Sequence, residues 1–185
     1  MTAPVIIENY DPQWPQRFAV LRGRLAAALG PLAAAIDHIG STAVPELAAK
    51  PVIDIDVLLR SADNLSAVIE ALATIGYTHQ GDLGVTGREA FKAPSSEFPH
   101  HLYVCPPESA EYCRHLAFRD YLRSHPDDAR AYADLKRKLA AELGADRDGY
   151  TSAKTQFVQE ILRCAVQNTV DPDHGTFFPS ERTIP

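Results

Sequence analysis

Three cysteines, Cys105, Cys113 and Cys164, stand too far apart to form a CxxC pair. This excludes a disulfide framework and a thiolate-based structural zinc centre, and it leaves buried, reduced thiols as the expectation. Basic residues are in deficit, with 18 Lys and Arg against 24 Asp and Glu for a formal charge of −6. That balance argues against a general polynucleotide binder, whose affinity rests on neutralising phosphates, but it leaves room for a local cationic pocket. No window approaches the ~18 continuous apolar residues of a membrane span, and residues 1–10 lack a basic segment followed by a long apolar core. The expectation is a soluble cytoplasmic protein with neither a membrane nor a polynucleotide partner.

What is present is a 45% apolar composition over 185 residues, enough for one well-packed body without a second independent core. Val5 to Ile7 reads as a short strand. Asp11-Pro12 reads as an N-cap with proline at the first helical position, after which Trp14, Phe18, Leu21 and Leu25 recur at helical spacing until Gly30. Ala34 to Ile39 and Val52 to Leu59 read as strands, with a short helix or turn over 42–50. A second helix runs from a cap at Asp63 or Asn64 through Leu65, Val68, Ile69 and Leu72 to a left-handed stop at Gly76.

Residues 77–80, 85–92 and 101–105 read as further strands, the last two joined as a hairpin by the turn-rich Pro94 to Pro99. Beyond Pro107 the pattern turns helical: Glu108 to Ser124, Asp127 to Gly144, and a helix carrying Phe157, Val158, Ile161 and Leu162. Strands followed by helices predict an α+β fold. Its parts are a mixed β-sheet with flanking helices over 1–106, C-terminal helices packed on it over 107–170, and a surface tail over 171–185.

The chemistry is concentrated in His38-Ile39-Gly40-Ser41 and, twelve residues later, Asp54-Ile55-Asp56 within the apolar run from Pro51 to Leu59. Carboxylates one residue apart on a strand share a face, and an acid pair on an apolar strand is costly to bury without a compensating cation. A divalent metal ion meets that need.

These residues, extended as His38-Ile39-Gly40-Ser41-Thr42-Ala43-Val44-Pro45 and Ala48-Ala49-Lys50-Pro51-Val52-Ile53-Asp54-Ile55, resemble the signature of the GrpB family. Phe118 to Arg123, Tyr150-Thr151 and Lys154 resemble the same family, and the likeness spans roughly residues 5–165. The resemblance implies a nucleotidyltransferase-like fold in which a Gly-Ser turn precedes an acid-x-acid strand and a later strand supplies a third acid. It also implies a link to dephospho-CoA kinase, to which GrpB-like domains are fused in some bacteria.

In such a site Asp54 and Asp56 are the catalytic, magnesium-holding pair, because hard cations prefer carboxylate and phosphate oxygens. Gly40, Ser41 and Thr42 form the phosphate turn, and Lys50 and Arg88 neutralise charge. The strand from His101 to Cys105 holds no carboxylate, so His101 is a substitute metal ligand, and Glu89 on the preceding strand is an alternative donor. His38, Arg119, Arg123 and Lys154 are candidates for the acceptor, with Arg119 and Arg123 four apart on one helix face. Lys136, Arg137 and Lys138 read as a solvated helix face. Glu46 stands where the family usually has Gly, which suggests an outward side chain.

The leading expectation is transfer of a nucleoside monophosphate from a nucleoside triphosphate to a small-molecule acceptor with magnesium. The alternatives are a non-catalytic module that binds a nucleotide or a CoA precursor and assists a protein partner the sequence does not name, or a metal-dependent hydrolase using His100 or His101 with the two acids.

Overall fold

Ile53, Ile55, Val57 and Leu59 alternate with Asp54, Asp56 and Leu58, so the strand they form, β2 (Ile53–Leu59), has one wholly apolar face. The structure, a computed structural model, describes residues 4–95, 98–143 and 146–169. β2 pairs antiparallel with β1 (Ala33–Ile39) and parallel with β5 (His100–Cys105). β4 (Glu89–Lys92) and β3 (Thr78–His79) complete a five-stranded sheet of order β1-β2-β5-β4-β3 with antiparallel pairings. The sheet is mixed, as expected, and β4 and β5 form the foreseen hairpin.

Two helices cover the apolar face. α1 (Trp14–Leu29) presents Trp14, Leu21, Leu25 and Leu29, and α2 (Leu65–Thr74) presents Val68 and Leu72, all packed on Ile53, Ile55, Val57 and Leu102. α1 starts later than Asp11-Pro12 suggests: the Asp11 side chain accepts the Gln13 N–H at 2.9 Å, and Pro15 occupies the first turn, where no N–H is needed. After α2, Gly76 at φ +90 supplies the left-handed stop.

The other face carries α3 (Ala110–Ser124), capped by Ser109, followed by α4 (Pro126–Leu143), α5 (Arg147–Ala153) and α6 (Thr155–Thr169). Leu122, Ala129, Tyr132, Ala133 and Ile161 from these helices bury Val44, Leu47 and Ala48 of the loop before β2. Apolar burial is split between two main clusters, because the sheet separates α1 and α2 from the later helices.

Several local expectations give way. Residues 5–7 form no strand; the pairing nearby is a single bridge between Glu8 and Ala49. Residues 85–88 lie outside β4, since Gly84 at φ +77 and Gly87 at φ +87 break an extended run. α5 was not foreseen, because its seven residues carry no periodic apolar set. Only Cys105 is buried, while Cys113 is exposed and Cys164 half-buried. The proposed tail, residues 171–185, lies outside the described residues. No helix among the described residues is long and apolar enough to cross a membrane.

α3 is unusual in what it lays on the sheet. β1 and β2 set Asp37 directly opposite Asp56, a like-charge pair that is unfavourable unless compensated. The inner stripe of α3 meets both. The Tyr112 hydroxyl donates to Asp37 at 2.7 Å, His115 Nδ1 lies 2.8 Å from Asp56 Oδ2, and the Arg119 guanidinium reaches within 3.5 Å of Asp37. Removing the hydrogen-bond partner of a buried carboxylate leaves that acid unsatisfied. Because His115 is a quarter exposed, His115→Ala is expected to destabilise by about 2 kcal/mol and lower Tm by about 4–8 °C in thermal denaturation. Asp56→Asn in the same chain should recover most of that loss, since no uncompensated charge then remains.

Candidate ligand cleft

β1 ends in a bend that only glycine can make. Gly40 sits at φ +68, and a Cβ there would fall against Asp54 Oδ2 and within 3.1 Å of Asp54 Cβ and Cγ. Ser41, Thr42 and Ala43 follow as one 3₁₀ turn. The Thr42 hydroxyl donates to the Val52 carbonyl at 3.2 Å, so its oxygen accepts from His38 Nε2 at 2.9 Å, which places a proton on that nitrogen. Burial pushes His38 down to about 4, and Phe18 stacks on its ring with centroids 4.7 Å apart.

Three of the four residues expected at an acceptor, His38, Arg119 and Arg123, are held in or around this bend. Arg119 Nη1 donates to the His38 carbonyl at 3.1 Å while its Nε and Nη2 grip Asp120. Arg123 donates from Nε and Nη2 to the Ala43 carbonyl at 3.0 and 2.8 Å. A guanidinium with several donors in fixed geometry suits such bridging, and these donors are committed to the protein itself. His38, Arg119 and Arg123 thus lie outside the cleft wall. Glu46 is exposed at φ +62, a left-handed position that glycine adopts without strain.

The structure divides the acid pair. Asp54 lines an open cleft, and its Oδ1 lies 2.8 Å from His101 Nδ1 on the neighbouring strand. Asp56 is 0% exposed beneath α3; burial raises its pKa above the ordinary carboxylate value, and its Oδ1 has no partner among the described residues. Arg88, expected at the phosphates, stacks on Tyr103 with its guanidinium carbon 4.1 Å from the ring centre, and its charge favours ionised Asp56.

Glu89 pairs in register with Val104 and so points to the opposite face, where it meets His79 at 2.6 Å. His100 pairs with Ile53, also on the opposite face. Its Nδ1 donates to the Phe98 carbonyl at 2.5 Å, which leaves Nε2 to accept from the Tyr77 hydroxyl at 2.6 Å. Neither residue can therefore join the two aspartates.

Nucleotidyltransferase-like folds imply divalent cations, and Asp54 and Asp56 are the residues that would hold one. Two carboxylates share a face, and the orphaned Asp56 Oδ1 is an acceptor that a cation would satisfy. The position paired with Asp54 on β5 holds His101 rather than a carboxylate, and no group of three His, Cys, Asp or Glu converges among the described residues.

Lysines dominate the rest of the cleft, which encloses about 910 Å³. Lys50 from the loop before β2, Lys136 from α4 and Lys154 from the α5–α6 junction all line it, with Ser41, Thr42, Asp54, His101 and Tyr103. Lys50 and Lys154 rest on the Tyr150 ring at 4.8 and 4.5 Å, and Lys136 on the Tyr132 ring at 4.5 Å. Lys136 also donates to the Ala48 carbonyl. Burial first, then the neighbouring cations, push Lys136 down to about 7 and Lys154 to about 8.

Lys136 corrects the solvated-face reading of residues 136–138. It is 3% exposed, whereas Arg137 and Lys138 do face solvent. The available signal was its place in the stripe Tyr132, Lys136, Leu139, which is otherwise apolar. Of the expected site residues, the cleft gathers Ser41, Thr42, Lys50, Asp54, His101 and Lys154, with Gly40 forming the bend against Asp54.

Residues 4–164 match the family described as GrpB protein. A UPF0157 protein of Pseudomonas aeruginosa is 40% identical over 166 residues, covering 88% of this chain and 68% of that one. One from Bacillus subtilis is 37% identical over 150 residues, 81% of this chain but 44% of its own length, so the chain spans less than half of that relative. A dephospho-CoA kinase of Mycolicibacterium paratuberculosis is 27% identical over 188 residues, 88% of this chain and 46% of the kinase. The crystal structure of conserved protein GrpB from Enterococcus faecalis superposes with a TM-score of 0.81 at 32% identity, covering 90% of this chain and 100% of that one. The GLD-2/RNP-8 complex gives 0.55 at 13% identity over 95% of this chain and 74% of that one, a likeness of fold alone, which is nucleotidyltransferase-like.

A buried ammonium is costly to the fold, and Lys136 carries that cost at the wall of an open cleft. Lys136→Met fills the same volume without the charge and is expected to raise stability by about 1–2 kcal/mol in urea titration. The same variant should weaken binding of inorganic tripolyphosphate at least tenfold by calorimetry.

Proposed function

The chain belongs to the GrpB family and has a nucleotidyltransferase-like fold, and from that footing we propose that the cleft binds a nucleoside triphosphate and passes its nucleoside monophosphate to a small-molecule acceptor. One observation carries this reading: Lys50, Lys136 and Lys154 surround the same cleft wall in which the Gly40 bend meets Asp54. A polyphosphate tail offers matching negative charge to clustered ammonium groups, and partly desolvated point charges hold it more strongly than fully exposed ones would.

In the reaction an acceptor oxygen forms a bond to the α-phosphorus as the bond from that phosphorus to the bridging oxygen of pyrophosphate breaks. Charge builds on the departing pyrophosphate, and the three lysines, already in place, stabilise it without reorganising. The Gly40 bend holds its backbone against Asp54 and fixes where that carboxylate stands. Asp54 and Asp56, with His101 beside them, are the residues that would hold one magnesium ion, which supplies Lewis-acid polarisation of phosphate oxygens. The formal charge of −6 favours a small acceptor over a nucleic acid. Cytoplasmic localisation, without a membrane partner, remains part of this proposal.

A second reading, a module that binds a nucleotide or CoA precursor without turning it over, draws on two observations. Asp56 is closed beneath α3, and His101 stands where a third carboxylate would help catalysis. The dephospho-CoA kinase relative points to phosphorylated CoA precursors as the ligand in that case.

Incubation with radiolabelled nucleoside triphosphates, magnesium and small hydroxyl acceptors separates the readings. Transfer that falls on the order of 100-fold in Asp54→Asn, with nucleotide affinity kept within a few-fold, supports the enzyme. Tight binding with no turnover under any magnesium concentration selects the module, and absence of nucleotide binding overturns both.

The lysines also set a pH dependence. A polyanion favours their ammonium forms and raises the pKa values from about 7 and about 8, so binding takes up protons. Affinity should therefore be fullest below pH 7 and weaken as pH rises past 8. Calorimetry at pH 8 in buffers of different ionisation enthalpy should register net uptake; proton release on binding would show that the ligand does not face these side chains.

A further inference from the structure

The lysines account for a phosphate tail but not for choice of what the tail is attached to, because point charges would grip bare polyphosphate as readily. The loop between β3 and β4 offers the missing selectivity. Its sequence, Gly81-Asp82-Leu83-Gly84, makes a tight turn in which Asp82 Oδ1 accepts the Gly84 N–H at 2.8 Å and the Gly81 carbonyl accepts the Ala90 N–H at 2.8 Å. At its tip Leu83 stands at φ +50, a left-handed backbone that leucine rarely adopts. Leu83 is 62% exposed, yet it belongs to the wall of the cleft that holds Asp54 and the lysines. The strained turn thus sets an apolar side chain at the wall of a charged cavity.

We propose that Leu83 covers the heterocyclic base of the bound nucleotide and so makes the cleft select nucleoside triphosphates over bare polyphosphate. This rests on the reading that the lysines take a polyphosphate tail. The physical basis is area: a planar base slid beneath Leu83, with the Tyr103 ring elsewhere in the same wall, removes apolar surface of both partners from water, whereas inorganic polyphosphate has none to offer. The loop is anchored for this task at its far end, where the Ser109 hydroxyl of the α3 cap donates to the Gly87 carbonyl at 2.6 Å. The tip is therefore presented in place rather than recruited by the ligand.

The experiment compares inorganic tripolyphosphate with purine and pyrimidine nucleoside triphosphates by isothermal calorimetry on the full chain. Asparagine tolerates the left-handed backbone, so Leu83→Asn keeps the turn and removes the cover, while Leu83→Met restores an apolar cover. In the unaltered protein nucleotides should bind about tenfold more tightly than tripolyphosphate. Leu83→Asn should erase most of that margin with tripolyphosphate affinity unchanged, and Leu83→Met should retain it. A margin that survives Leu83→Asn, or an equal loss for both ligands, overturns the inference while leaving the polyphosphate reading intact. If neither ligand binds the unaltered protein, the polyphosphate reading itself falls and takes this one with it.

Discussion

Two carboxylates face each other across the β1–β2 ladder, Asp37 and Asp56, and the arrangement of the later helices answers to them. Buried like charges in register would push the strands apart unless donors arrived from elsewhere. They arrive from α3, whose inner stripe is a hydroxyl, an imidazole and a guanidinium at Tyr112, His115 and Arg119. The same helix, one turn on, holds the bend after β1 through Arg123 and the Ala43 carbonyl. Charge compensation of the sheet and construction of the bend beside the cleft thus share one helix. α3 cannot shift without disturbing both.

The division of labour between neighbouring acids follows from that docking. Asp54 and Asp56 share a strand face, but α3 covers one and stops short of the other. The covered acid meets α3 through His115, and the open one lines the cleft beside the Gly40 bend. Around the open acid the protein accepts a burden: Lys136 is buried with its pKa drawn far below the ordinary lysine value, and Lys154 nearly as far. Such groups weaken the protein, and under the proposed function a phosphate-bearing ligand would relieve that cost.

The strand-helix order, the Gly-Ser bend and the acid-x-acid strand were legible because each is local: alternation, a helix cap or a tight turn is written in a few adjacent residues. Periodicity also carried more than was first read from it. Lys136 lay in an apolar stripe of α4, and its position there already said that the ammonium faces inward. Arg119 and Arg123 were placed on one helix face, but a helix face does not say whether a carbonyl of the same chain or a ligand waits opposite. The structure gives Arg119 to the His38 carbonyl and Arg123 to the Ala43 carbonyl.

By itself the sequence determined the α+β fold class, the glycine bend, and the presence of two acids on one strand face. Tertiary structure decided which acid opens to the cleft, which basic residues join it, and that His100 and Glu89 turn away to the opposite face of the sheet. The reason lies in sequence distance. Local signals fix a residue's direction from its own backbone, whereas the partners of Asp54, Asp56 and Lys136 come from strands and helices dozens of residues away, brought together only when the sheet register and the docking of α3 and α4 are set.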